Sequence, residues 1–416
     1  MRKESYFQRL PSSKTRWIYI ALGLTMNFCL GSVYSWSIFR KPLEELFEIS
    51  ATESSLPYMF FLVFYAIFMP IAGRFLDKYG PKLVSIIGGI LVGIGWMLAG
   101  FSSNLLLLTI GYGIIAGTGV GVAYGAPIAV STKWFEDKRG FVVGLTVLGF
   151  GMSPLITAPI ARKLIDLYGP LFTFRILGIV FFFVIVLLSI PLKFPSKDEG
   201  YIKTESNRTK DVQSYNPSTM LKTTTFWGLW LCFVIGTLSG LMAIGISSPV
   251  GQEIIKLSPD AAAISVSIFA IFNGIGRPLF GFLTDKITPR NAAMLNFVII
   301  LFSSLGMLFA KEGRVVLFMI TFSCLWLSLG GWLSIVPTAT AQFFGTLHYS
   351  KNYGFLFTAY GVGAILGNLI SGSIRDILGS YVFNFYITSI LSIIGILIAV
   401  FSLKDRKKKE KAAMQK

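Results

Sequence analysis

Charge is scarce in this sequence: of 416 residues only 14% are charged, while 54% are hydrophobic and phenylalanine alone occurs 37 times. A water-soluble fold of this length could not bury so much apolar surface, which excludes an ordinary globular domain. Histidine is nearly absent, with His348 alone, and falls in a loop. The three cysteines, Cys29, Cys232 and Cys324, sit far apart inside apolar runs without CxxC spacing. These absences exclude thiol redox and zinc motifs, and the cysteines read as small packing residues. There is no HExxH, no histidine within an apolar run to activate a serine, and no glycine-rich loop ending in Lys-Ser or Lys-Thr. Neither an intramembrane enzyme nor a nucleotide-driven pump is therefore expected. Long polar segments are also missing, which argues against a receptor with a large signalling domain. The glycine clusters Gly113, Gly117, Gly119, Gly121, Gly125 and Gly144, Gly149, Gly151 ahead of Pro154 lie in apolar stretches, so they predict close helix packing and bending.

What is present is a series of apolar runs of membrane-crossing length. Six are expected at Trp17 to Phe39, Leu56 to Ala72, Leu83 to Phe101, Leu105 to Ser131, Phe141 to Ile160 and Phe172 to Leu192. Six more follow at Phe226 to Ser247, Ala262 to Leu283, Ala292 to Ala310, Val315 to Thr338, Phe355 to Ile374 and Val382 to Leu403. The first run, from Trp17, lacks a small-residue cleavage signature and reads as a retained helix. The fold class is thus an all-α membrane protein with twelve transmembrane helices in two six-helix pseudo-symmetric halves. Residues 1–192 form the first half, 193–222 a cytoplasmic linker, and 223–416 the second half with a basic tail. The net charge of +17 follows topology: of 37 Lys and Arg residues, 27 fall on the side of the two termini, 9 on the other side, and Arg277 inside a span. Cytoplasmic loops carry such an excess, so both termini are expected in the cytoplasm of a multi-pass protein of the inner or plasma membrane. The basic run Lys404 to Lys411 is expected against the anionic inner leaflet.

A repeat joins the halves. Gly73-Arg74-Phe75-Leu76-Asp77-Lys78 recurs as Gly281-Phe282-Leu283-Thr284-Asp285-Lys286, followed by Pro81-Lys82 and Pro289-Arg290, at an offset of 208 residues (285 minus 77). Half the chain separates the copies, as parallel repeats about the membrane normal require. Each glycine permits close helix approach, and each aspartate can cap a helix start and pair with basic neighbours, a conformational latch. The chain here resembles the major facilitator superfamily, whose loop signature is matched by Gly73, Asp77, Lys78, Gly80 and Lys82. Three stretches resemble its oxalate/formate antiporter branch and the related monocarboxylate transporters: Lys133-Trp134-Phe135-Glu136-Asp137-Lys138-Arg139-Gly140, Asn273-Gly274-Ile275-Gly276-Arg277-Pro278 and Asn352-Tyr353-Gly354-Phe355.

Arg277 lies eight residues before Asp285, about 12 Å deep at roughly 1.5 Å per residue. A guanidinium at that depth needs a partner, and no carboxylate is evident in the spans. The partner is either an anionic substrate in a water-filled cavity or, alternatively, backbone carbonyls near a break at Pro278. The resemblance puts the branch's substrate-binding arginine at Arg277. It also puts the second, lysine, cation of the branch's oxalate carrier at Tyr360. One cation with a phenol hydroxyl suits a single carboxylate better than a dianion. Asn273, one turn before Arg277, either orients the guanidinium or bonds substrate. Tyr34, Tyr124 and Trp332 are candidates for an aromatic cage, or else core; Tyr34 and Tyr124 also match tyrosines of the branch. The expected function is a secondary carrier of a monocarboxylate such as lactate, pyruvate or formate, working by alternating access. The alternatives are an oxalate/formate-type exchanger and an exporter of an unrelated compound. Coupling has three readings: entry of protonated substrate, assistance by an outer acid such as Glu253, or anion exchange. The expected partners are the anion, a proton under symport, and the bilayer; no cofactor, metal or nucleic acid is expected, and the working unit is read as a monomer.

Overall fold

The computed structural model describes residues 13–135, 139–195, 214–345 and 347–403. The basic tail, most of the linker, the acidic centre of the Lys133 to Gly140 stretch and the side chain of Asp77 lie outside the described residues. Eleven segments are long and apolar enough to cross a membrane: α1 Arg16–Phe47, α2 Ala51–Leu76, α3 Lys78–Ala99, α4 Leu105–Trp134, then Val142–Ser189, α7 Thr224–Glu253, α8 Pro259–Ile287, α9 Pro289–Met307, α10 Val315–Phe344, α11 Lys351–Leu378 and α12 Tyr381–Ser402. Gly169, at φ 77° and ψ 168°, breaks the Val142–Ser189 segment. It thereby divides into α5 (142–168) and α6 (170–189), which brings the spans to twelve.

Helix starts follow from local chemistry. Ser50 and Glu53 form a capping box at the head of α2, Asn104 caps α4, Thr223 caps α7, and Ser258 followed by Pro259 opens α8. The repeat extends to the backbone. Gly80, two residues into α3, breaks the helix there at φ 81°, and its counterpart 208 residues on, Thr288, makes the turn between α8 and α9 at φ 82°. Pro70 and Pro278 are likewise equivalent, and α8 remains helical through Pro278, so no break occurs there.

Exposed Phe, Leu and Ile side chains ring the bundle, among them Phe302, Phe309, Ile320 and Phe401. Lipid would cover them. Glycine lets helices approach within backbone distance. Gly113, Gly117 and Gly121 place one face of α4 against Pro57, Phe61 and Tyr65 of α2. Between halves, α5 packs on α8 and α2 on α11, two contacts that the repeat makes equivalent.

Candidate substrate site and gate

α1 tightens into a 3₁₀ stretch, Gly31–Ser35, where Gly31 lies against the backbone of Phe150 on α5 so closely that a Cβ would sit 2.7 Å from its Cα. That approach sets Tyr34 at the interface of the halves. Tyr34 Oη and Tyr360 Oη of α11 are 3.1 Å apart, and both side chains are fully buried.

Phe150 is the hub beneath this pair. Its ring meets Tyr34 edge-on at 5.2 Å, Tyr124 at 5.2 Å and Tyr65 at 5.8 Å, and the Arg277 guanidinium stands 5.7 Å over it. Tyr65 continues the ring of contacts to Tyr360 at 5.7 Å and Phe357 at 5.9 Å. Trp326 of α10 approaches Tyr34 at 6.5 Å.

Arg277 is 3% exposed. Its Nη1 donates to Val147 O of α5, in the other half, at 2.9 Å. Nε and Nη2, the two donors on one edge of the fork, have no protein partner. Asn273 does not orient the guanidinium: its Nδ2 donates to Trp326 O at 3.0 Å, and its Oδ1 is buried without a partner. An unpartnered buried donor or acceptor costs about 1–3 kcal/mol, and this site holds three such atoms.

Trp332 stands apart from this group. Its ring packs on Phe297 at 4.9 Å and Phe233 at 6.4 Å, with the indole edge against Gly236, one layer behind Tyr360. Phe150, Tyr65 and Trp326 join the site without having stood out in the sequence. The Gly149-Phe150-Gly151 pattern was the available signal, an aromatic held between two glycines used for close packing.

Arg40 corrects a second expectation. α1 continues past Phe39 to Phe47, so Arg277 is not the sole basic residue within a span; among the described residues Arg40 and Arg277 are the two buried charges. Arg40 donates to Ser54 Oγ at 3.0 Å, Ala51 O at 2.5 Å and, across the halves, Gly245 O at 3.2 Å, with Glu44 at 3.7 Å. The spans also contain carboxylates, since Glu44 and Glu253 lie within α1 and α7. A run reading Arg-Lys-Pro-Leu-Glu-Glu looks polar in isolation, yet Arg40 is buried because its donors are engaged and Glu44 opposes its charge, while Glu45 stays exposed.

These charges close the face of the bundle opposite the termini. Glu253 pairs with Lys41 of the other half and accepts from Arg375 Nε at 2.6 Å. Asp376 on α11 accepts from the backbone N–H groups of Ala51 and Thr52 at 3.0 and 2.8 Å, capping α2 across the halves. Arg162 of α5 reaches Asp260 of α8 at 3.0 Å. On the face of the termini the α2 to α11 contact persists, with a Cβ at Gly354 placed 3.2 Å from Pro70. The polar contacts between α5 and α8 run from Arg277 to the opposite face. Toward the termini, a Cβ at Gly144 would meet nothing within 4 Å.

The signature loops hold less. Lys78 lies over Tyr79 at 5.0 Å and Lys286 over Phe282 at 5.7 Å, while Asp285 accepts from Gln342 at 3.1 Å within its own half. Gly73 is open and Gly281 only loosely covered, by Ser334. Two surface clefts, of about 250 Å³ beside His348 and about 210 Å³ beside Lys41 and Arg162, lie at the two ends of the bundle, away from Arg277.

Two six-helix halves with a buried guanidinium between them, one edge of it without a protein partner, give the architecture of a membrane transporter. The sequence belongs to the Major Facilitator Superfamily, whose profile matches residues 17–344 and 257–416. It is 30% identical over 392 residues to the oxalate:formate antiporter of Oxalobacter formigenes, covering 93% of this chain and 91% of that one. It is 26% identical to human monocarboxylate transporter 14, covering 79% and 78%. Its fold matches the inward-facing, unoccupied structure of a bacterial homologue of the human lysosomal transporter Spinster, with a TM-score of 0.68, 16% identity and coverage of 94% and 96%.

Proposed function

We propose that the protein carries a small monocarboxylate, of the size of lactate, pyruvate or formate, through the gap between its halves by alternating access. The observation that carries this reading is the free edge of the Arg277 guanidinium, two parallel donors matched to one carboxylate in a cage of aromatic rings. The similarity to an oxalate:formate antiporter and to a monocarboxylate transporter supports an organic anion.

A dianion is the less favoured cargo. Arg40, the other buried cation, has its donors engaged by Ser54, Ala51 and Gly245 and its charge opposed by Glu44. At position 360 a tyrosine donates or accepts a hydrogen bond and adds no charge. Excess of Lys and Arg on the face of the termini supports a cytoplasmic placement of that face; the described state is then closed to the outside. Residues 1–192 and 223–416 would move as the two bodies, with residues 193–222 joining them.

The test is uptake of radiolabelled lactate, pyruvate, formate and oxalate into proteoliposomes, with and without an inward proton gradient. Saturable monocarboxylate uptake that Arg277→Ala abolishes is expected; a rise with the gradient identifies symport, and a requirement for internal anion identifies exchange. Uptake of none of the four by folded protein, or uptake indifferent to Arg277, would reject the reading.

A further inference from the structure

Beside the free edge of Arg277 is an atom that a bare carboxylate leaves unanswered. Asn273 Oδ1 is fully buried and has no donor. Its orientation is settled by chemistry: Trp326 O can only accept, so the amide must turn its NH₂ group to that carbonyl, leaving Oδ1 on the opposite side. Both Oδ1 and Arg277 Nε face the same point on α5. A Cβ built on Gly151 would stand 2.6 Å from Oδ1 and 3.2 Å from Nε, so the two atoms are no more than about 5.8 Å apart.

We propose that this pair selects a 2-hydroxycarboxylate, the carboxylate taking the Arg277 fork and the hydroxyl donating to Asn273 Oδ1. The inference rests on the monocarboxylate reading and narrows it. A 2-hydroxy acid carries its donor one carbon from its carboxylate, which matches an acceptor adjacent to a fork. A 2-keto acid presents an acceptor to an acceptor and leaves Oδ1 unpaired. A 2-amino acid supplies donors, but its ammonium would stand beside the guanidinium. A site built to bond a hydroxyl rejects the analogue lacking it, because the buried polar atom then goes without a partner.

In the described state Gly151 covers both atoms, so the hydroxyl reaches Oδ1 only as α5 and α8 part. Helix α10 holds the acceptor in place meanwhile: the Trp326 carbonyl engages Asn273, and the Trp326 indole donates to Ser247 Oγ at 3.0 Å. The residue is thus positioned independently of the moving half.

The experiment measures half-saturation for L-lactate, propionate and pyruvate in proteoliposomes of the full chain. Propionate is lactate without its hydroxyl. Wild type should favour lactate over both others by about tenfold. Asn273→Ala should erase the preference, the ratio of the propionate to the lactate half-saturation value falling from about ten to about one whatever the two absolute values, and retained propionate transport reports that the variant is folded. If monocarboxylates are carried without a hydroxyl preference, the proposal fails and the carrier reading stands; the wild type alone decides this should the variant not fold. A preference that survives in Asn273→Ala rejects the assignment to Asn273. If none of the three acids is carried, the monocarboxylate reading falls and this inference with it.

Discussion

At the scale of single residues, the two buried arginines show that burial alone does not mark a binding group. Arg40 is surrounded by acceptors and a carboxylate and acts as structure. Arg277 keeps one edge open. Arg277→Lys retains the charge but replaces the fork with a point cation, so uptake efficiency should fall at least tenfold in the proteoliposome assay while the protein stays monodisperse. Arg40→Met should behave differently. It removes the donor that Ser54 Oγ, Ala51 O and Gly245 O share, and a buried polar atom left without its partner costs about 1–3 kcal/mol, so the thermal midpoint in detergent should drop markedly; a midpoint within a degree of wild type would contradict a structural role for Arg40. The depth of Arg277 was legible from its distance to Asp285. Its cage was only partly legible, because Phe150, Tyr65 and Trp326 join it through contacts between remote helices, and Trp332, expected there from its depth in the tenth span, packs instead on Phe297, Phe233 and Gly236.

Among the helices, apolar runs and charged joints located all twelve spans, and the 208-residue offset predicted a matching turn in each half. The turns match in conformation while differing in residue. Thr288 adopts φ 82° and ψ 152°, a region that glycine occupies freely and a β-branched residue does not. Thr288→Gly should therefore stabilise the protein by about 1 kcal/mol, read as a raised thermal midpoint; an unchanged or lowered midpoint would show that the turn carries no strain. The contact of α8 with α10 is tighter still, since a Cβ at Gly330 would fall on the Asn273 carbonyl. Gly330→Ala should cost about 1–3 kcal/mol by forcing those helices apart. Span ends were the least legible part. α1 runs eight residues past Phe39, because Arg40, answered by Ser54, Ala51, Gly245 and Glu44, lets the helix continue beyond the point where hydropathy falls.

For the molecule as a whole, the halves meet through an unequal distribution of charge. Along α8, Asn273 and Arg277 correspond under the repeat to Tyr65 and Met69 of α2, so the cation belongs to one half only. The closed face is held by Glu253 with Lys41 and Arg375, by Asp376 on α2, and by Arg162 with Asp260. Glu253→Gln combined with Asp376→Asn should shift the population toward opening at that face. Spin labels at Leu46 and Ile377, exposed and in different halves, would report a new, longer distance; an unchanged distribution would mean that packing between α2 and α11 alone holds the face shut. The single bond from Arg277 to Val147 has a kinetic consequence. An empty carrier must break that bond to swing, leaving the guanidinium with no acceptor midway, whereas a loaded carrier crosses with its charge already answered. The unladen return stroke should then be the slow one, and labelled anion should enter vesicles faster when unlabelled anion waits inside to leave.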